Sequence, residues 1–185
     1  MRQVYVSTEG THPVSTEEIK AYVDYHGTDY NAESVLENLS IAARLRLEEF
    51  CGRNFCDKTM VMIVNQVAIR QALPYGPINT ITSVAIYDED NVLDETLVAG
   101  TDYTLMSEFD KYIKFDTISS GEYYKITYTA GYKSDGYPLP EALKRAILAQ
   151  TKYDFRNSSG GGDSSQTMLS NEARLLVAPY RVYEI

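Results

Sequence analysis

The chain has 185 residues, 44% of them hydrophobic, and a formal net charge of −9. That length allows one ordinary domain or a core with one sizeable insertion, and that apolar content excludes global disorder. With 17 Lys and Arg against 26 Asp and Glu, and no basic run, the composition excludes a surface that grips nucleic acid by neutralising phosphates along its length.

The opening "MRQVYVSTEGTHPVSTEE" lacks a continuous apolar signal core, and no apolar run approaches the ~20 residues of a membrane helix. A chain made in a cytoplasm and soluble there, with no membrane partner, is expected. Residues 1–14 read as extended or loose, because Pro13 bars helix just before it. "STEEIKAYVDYHG" follows as a short helix. Ser15 and Glu18 have capping-box spacing, and the acids of the first turn suit the helix dipole.

"NAESVLENLSIAARLRLEEFCGRNF" is the strongest helix pattern, with Asn31 as its cap and Gly52 as its close. At 100° per residue Leu36, Leu39, Ala43, Leu47 and Phe50 share one face, the predicted core stripe. Ile41 and Leu45 fall nearly opposite. Either another part of the chain covers them or a neighbouring subunit does.

From Phe55 to Thr129 the pattern turns to β-branched and aromatic runs broken by turn signals: "TMVMIV", "SVAIYDEDNVL", "YTLM", "YIKF" and "YYKITYTA". "DEDN", Asp88–Asn91, reads as a hairpin turn, since it lacks the central Gly and distal Glu of a calcium loop. "LPYGPINTI" reads as a sharp corner fixed by Pro74, Gly76 and Pro77. This section predicts an antiparallel sheet or small barrel of about five or six strands.

Pro140 then opens a helix running to about Arg156, with Leu143, Ala146 and Ile147 inward. "NSSGGGDSSQTM" is a flexible-loop composition over Ser158 to Asp163. A short helix in "LSNEARLLVA", capped by Ser170, stops at Pro179, and "PYRVYEI" is the tail. The fold class is α+β: a small helical bundle of N- and C-terminal helices with an inserted antiparallel sheet or small barrel. The expected boundaries are 13–54 and 138–178 for the bundle, 55–131 for the β-rich insertion and 179–185 for an extended C-terminal arm.

Catalytic, cofactor and metal constellations are not found: no GxSxG, P-loop, HExxH or GxGxxG appears. Cys51 and Cys56 are too far apart for a CxxC pair and lack further ligands, so they read as buried thiols. His12 and His26 fall in separate loops. The strand–turn–helix joint "YTAGYKSDGYP" has a Ser134–Asp135 pair without a histidine base. Pro140 and Glu141 make the following helix start a poor anion site. It reads as the joint returning the chain from the sheet to the helices.

The order of these segments resembles the head–tail connector (adaptor) proteins of long-tailed bacteriophages. "PVSTEEIKAYV" is similar to that family's first helix. "AESVLENLSIAARLRLEEFCGRNF" is similar to its second, with the closing aromatic, small residue, Gly and Arg. "LPYGPINTITSVAIYDEDN" resembles its strand–turn segment, "ITYTAGY" with "LPEALKRAIL" its return into the third helix, and "LLVAPYRV" its C-terminal end. The likeness runs from Pro13 to Val182; the loop "SSGGGDSSQTM" is more glycine-rich than the family pattern.

The resemblance implies a structural virion protein, not an enzyme, with no cofactor. It implies a ring, dodecameric in the virion, beneath the portal protein at the neck. Such a ring extends the DNA channel and offers a platform to the tail or to a stopper or tail completion protein. Genomic DNA would pass through without sequence-specific binding, and acidity agrees with a channel to which DNA must not stick. Under that reading Ile41 and Leu45 form the subunit interface, and Tyr180, Arg181 and Tyr183 dock on the portal or a neighbour. For the tail the competing expectation is that it folds back on its own bundle. For the whole chain it is a β-rich module that binds carbohydrate or protein on a helical support.

Overall fold

A computed structural model describes residues 2–27, 29–106, 112–118, 121–133, 137–158 and 168–182. The chain divides into two compact units, Met1–Gly10 with Cys56–Lys133, and Thr11–Phe55 with Ser134–Ile185.

The first unit is all β. Its strands are β1 (Arg2–Glu9), β2 (Lys58–Val64), β3 (Arg70–Ala72), β4 (Ile78–Tyr87), β5 (Leu93–Thr96), β6 (Tyr103–Met106), β7 (Tyr112–Phe115) and β8 (Tyr123–Ala130). They form a five-stranded sheet in the order β1-β2-β8-β4-β5 and a three-stranded sheet in the order β3-β7-β6. Every strand pairing is antiparallel. The expected sheet or barrel is thus two open sheets, and no barrel closes among the described residues.

Alternation makes the core. Tyr124, Ile126, Tyr128 and Ala130 of β8 point to one face with Met60, Met62 and Val64 of β2 and Val84 and Ile86 of β4. Ile113, Phe115 and Tyr103 of the smaller sheet join the same cluster. Tyr128 is fully buried and donates its hydroxyl to the Pro74 carbonyl at 3.1 Å; burial raises its pKa above the usual tyrosine value. Several of the tyrosines are therefore core residues, each carrying a large apolar payload with one polar end to satisfy.

The second unit holds α1 (Thr16–Val23), α2 (Tyr30–Cys51), α3 (Glu141–Ser158) and α4 (Asn171–Val177), with a 3-10 turn at Ala178–Tyr180. Ser15 and Glu18 form the capping box in full, and Gly52 ends α2 with φ 66°. The cap of α2 is Asp29, whose carboxylate accepts from the Asn31 N–H; the helix starts one residue before Asn31, so Asn31 cannot serve. Pro140 precedes α3 and accepts from the N–H groups of Leu143 and Lys144. α3 packs against α1, α2 and α4.

The core stripe holds at Leu36, Ala43 and Leu47, which are buried, while Leu39 and Phe50 are half-buried at its margins. One polar set in this core is closed on itself. Gln150 donates to Asp154 Oδ1 at 2.9 Å and accepts the Ser170 N–H at 2.7 Å, while Arg46 pairs with the other Asp154 oxygen. Among the described residues no helix is long and apolar enough to cross a membrane.

Candidate assembly surfaces

α2 carries the first surface. Ile41 and Leu45 are 39% and 46% exposed, so no other part of the described chain covers them. Val35, 47% exposed, and Ala42, also exposed, lie within the same half-turn of arc. Asn31, Ser34 and Asn38 fill the rest, and exposed Glu49 continues the face one turn beyond Leu45. The outcome is a helix face of roughly four turns with apolar and amide side chains where a solvated helix normally places Lys and Glu. On the flank between this face and the core stripe, Arg44 pairs with Glu48 at 3.3 Å, both buried, and Glu48 Oε1 also accepts the Phe55 N–H at 2.7 Å. α2 therefore buries its core stripe and one charged pair, and still leaves Val35, Ile41 and Leu45 exposed.

The C-terminal segment carries the second. Pro179 sits in the 3-10 turn, and Tyr180 ends it. The Tyr180 carbonyl accepts from Arg53 Nε at 2.6 Å, and the Arg181 guanidinium lies over the Phe50 ring, 4.6 Å from its centroid. Val182 donates its N–H to the Cys51 carbonyl at 2.8 Å. Tyr180, Arg181 and the end of α2 are thus brought together, where an arm leaving the body at Tyr180 was expected. Tyr183 and the other residues of 183–185 lie outside the described residues, as does most of the Gly-rich stretch Ser158 to Asp163.

The remaining sequence candidates have structural partners. Asp88 Oδ1 accepts the N–H groups of Asp90 (3.0 Å) and Val92 (2.8 Å), which closes the β4–β5 hairpin at the expected turn. Asn91 there takes φ 60°, a conformation Asn tolerates. Cys51 and Cys56 are buried free thiols, and burial pushes the Cys51 thiol up to about 11, which makes it a poor nucleophile. His12 contacts Ser40 Oγ at 2.9 Å, and His26 is exposed beside Asp24. Among the described residues no cluster of His, Cys, Asp or Glu could hold a metal ion.

In the strand–helix joint, Gly131 takes φ 122°, and its N–H bonds to the Pro77 carbonyl. Asn79 Nδ2 bridges the Gly131 carbonyl and Asp57 Oδ1, so the start of the joint is spent on its own strands. Ser134, Asp135 and Gly136 lie outside the described residues.

No family model and no curated protein matches the chain. Solved structures match it nearly end to end. A chain described as the neck of an empty gene transfer agent particle, computed with C6 symmetry, superposes with TM-score 0.76 at 15% identity, covering 99% of this chain and 97% of that one. A chain from the virion of a native gene transfer agent particle gives 0.77 at 15% identity, covering 98% and 96%. One from the neck of the native particle, computed with C12 symmetry, gives 0.63 at 20% identity, covering 96% and 95%. At these identities the likeness establishes a shared fold: four helices and two antiparallel sheets in one order, an α+β architecture.

Proposed function

We propose that this chain is a structural virion protein of the head–tail neck, a connector (adaptor) that forms a ring beneath the portal. The observation that carries the reading is the end-to-end likeness to neck chains of a phage-like particle, with 99% of this chain and 97% of that one superposed. Two of those necks were computed with C6 and C12 symmetry, which supports a cyclic assembly and, for this chain, the dodecamer. The exposed apolar residues of α2 support a subunit contact through Ile41 and Leu45. The role needs no catalysis: the protein acts by shape, extending the DNA channel and giving the tail or a stopper its platform. Tyr180, Arg181 and Tyr183 are the proposed contacts with the portal or an adjacent subunit.

The test is to measure the mass of the purified chain alone and with a purified portal, and to image the mixture. A closed ring on the portal is expected. A chain that stays monomeric and ignores the portal overturns the reading. Replacing Tyr183 by Ala separates the tail contact from ring formation, since it should weaken portal binding while subunit association persists.

A further inference from the structure

The five-stranded sheet has two open edges. β1 pairs only with β2, and β5 only with β4, among the described residues. β1 is eight residues long and exposed at nearly every position, with Tyr5 46% and Val6 45% exposed. It carries no Pro and no Lys. A long, exposed, partly apolar edge is what monomeric proteins avoid, because its unpaired backbone groups template another strand. The opposite edge is shorter and acidic: all four residues of β5 are exposed, Leu93 among them, with exposed Val92 just before it.

Three features say that one edge fits the other on a second copy. First, direction: four successive antiparallel pairings leave β1 and β5 running the same way. A neighbour related by rotation therefore lays its β1 parallel to β5, a head-to-tail contact of the kind that closes into a ring. Second, face: Arg2 opposes Val64, and Glu95 opposes Ile86, and both of those partners point into the core, so Arg2 and Glu95 share one face of a continued sheet. Third, charge: the β5 edge is acidic at Asp94 and Glu95 and is preceded by Asp88, Glu89 and Asp90, whereas β1 begins with Arg2. Parallel alignment brings that Arg beside the acidic end. Arg2 makes no ion pair with any described residue that would compete.

We propose that the start of β1 of one copy adds to β5 of the next, with Arg2 beside Glu95 and Gln3 beside Thr96, so that the sheet runs on between neighbouring subunits. This rests on the ring reading above and names the backbone contact that would join its subunits. Outer-face positions Gln3 and Thr96 then become neighbours across the join, close enough for a disulfide.

The test uses the full chain with Gln3→Cys and, separately, Thr96→Cys; the native thiols are buried and give the background. Mild oxidation of the mixed variants at assembling concentration should give a linked dimer. Neither variant alone should give one, and the double variant should give a ladder up to the ring. In parallel, Arg2→Glu should raise the concentration for half-assembly several-fold, and adding Glu95→Arg in the same chain should restore it. Assembly seen by mass with no mixed linkage overturns strand addition but leaves the ring reading in place, as does capture of β1 by the portal alone. Absence of any assembly overturns both.

Discussion

Val182 donates its backbone N–H to the carbonyl of Cys51 at 2.8 Å, which ties the chain end to the last turn of α2. That carbonyl is one of the four a helix leaves without an internal partner, so the tail here completes the helix terminus. Arg181 adds its guanidinium over Phe50. Replacing Arg181 by Ala should cost about 0.5–1 kcal/mol, the range for an exposed cation–π contact. A melting temperature lower by roughly 1–4 °C is the expected reading. An unchanged melting temperature with lost portal binding would instead assign Arg181 wholly to the partner.

The face of α2 makes a contrasting prediction. Ile41→Glu with Leu45→Glu changes exposed positions, so folding stability should move by no more than about 0.5 kcal/mol per site. Subunit association should fail, because two carboxylates would enter an apolar contact. Leu36→Ala, on the buried stripe, should cost about 2–5 kcal/mol. Comparing chemical denaturation with mass in solution separates the two faces; a double Glu variant that still assembles removes Ile41 and Leu45 from the interface.

Arg44 and Glu48 test how a buried charge pair behaves. Removing one partner leaves the other charge uncompensated, which costs about 3–5 kcal/mol. Arg44→Ala should show that loss in denaturant unfolding. Glu48→Ala should lose at least as much, since it also deprives the Phe55 N–H of its acceptor. A loss below about 1 kcal/mol for either variant would mean the pair is solvated.

Acid should weaken one surface link in a defined direction. The Lys144 ammonium, bonded to Glu18, holds that carboxylate below its ordinary 4.5, helped by the Ser15 N–H. A depressed folded pKa means the contribution is fully present above 4.5 and is lost as pH falls through the folded value. Because Glu18 is largely exposed, the effect is a few tenths of a kcal/mol. The melting temperatures of the parent and Glu18→Gln should differ at about pH 7 and converge near pH 3. A gap that widens on acidification would mean the sign is wrong.

Local chemistry was legible in the residues themselves. Ser15 with Glu18, Gly52, Pro140 and Ser170 mark helix ends because each satisfies or removes a backbone group within a few residues. The hairpin at Asp88–Asn91 was readable for the same reason, since its carboxylate closes the turn on its own backbone. Periodicity named the buried positions Leu36, Ala43 and Leu47 because a helix puts them on one side whatever packs there.

What only the tertiary structure decided involves partners distant in sequence. Residues 2–9 read only as extended or loose, and they become β1 by pairing with β2 about fifty to sixty positions away. Arg44 and Glu48 look like a solvated helix pair until the neighbouring helices and Phe55 bury them. Tyr180 and Arg181 looked like an arm because Pro179 ends a helix, but proline sets only the local φ; the direction afterwards came from Arg53, Phe50 and the open carbonyl of Cys51. Short-range hydrogen bonds are written in neighbouring residues, whereas burial and strand partnership depend on which distant surfaces meet, and these decide which faces stay open to another subunit.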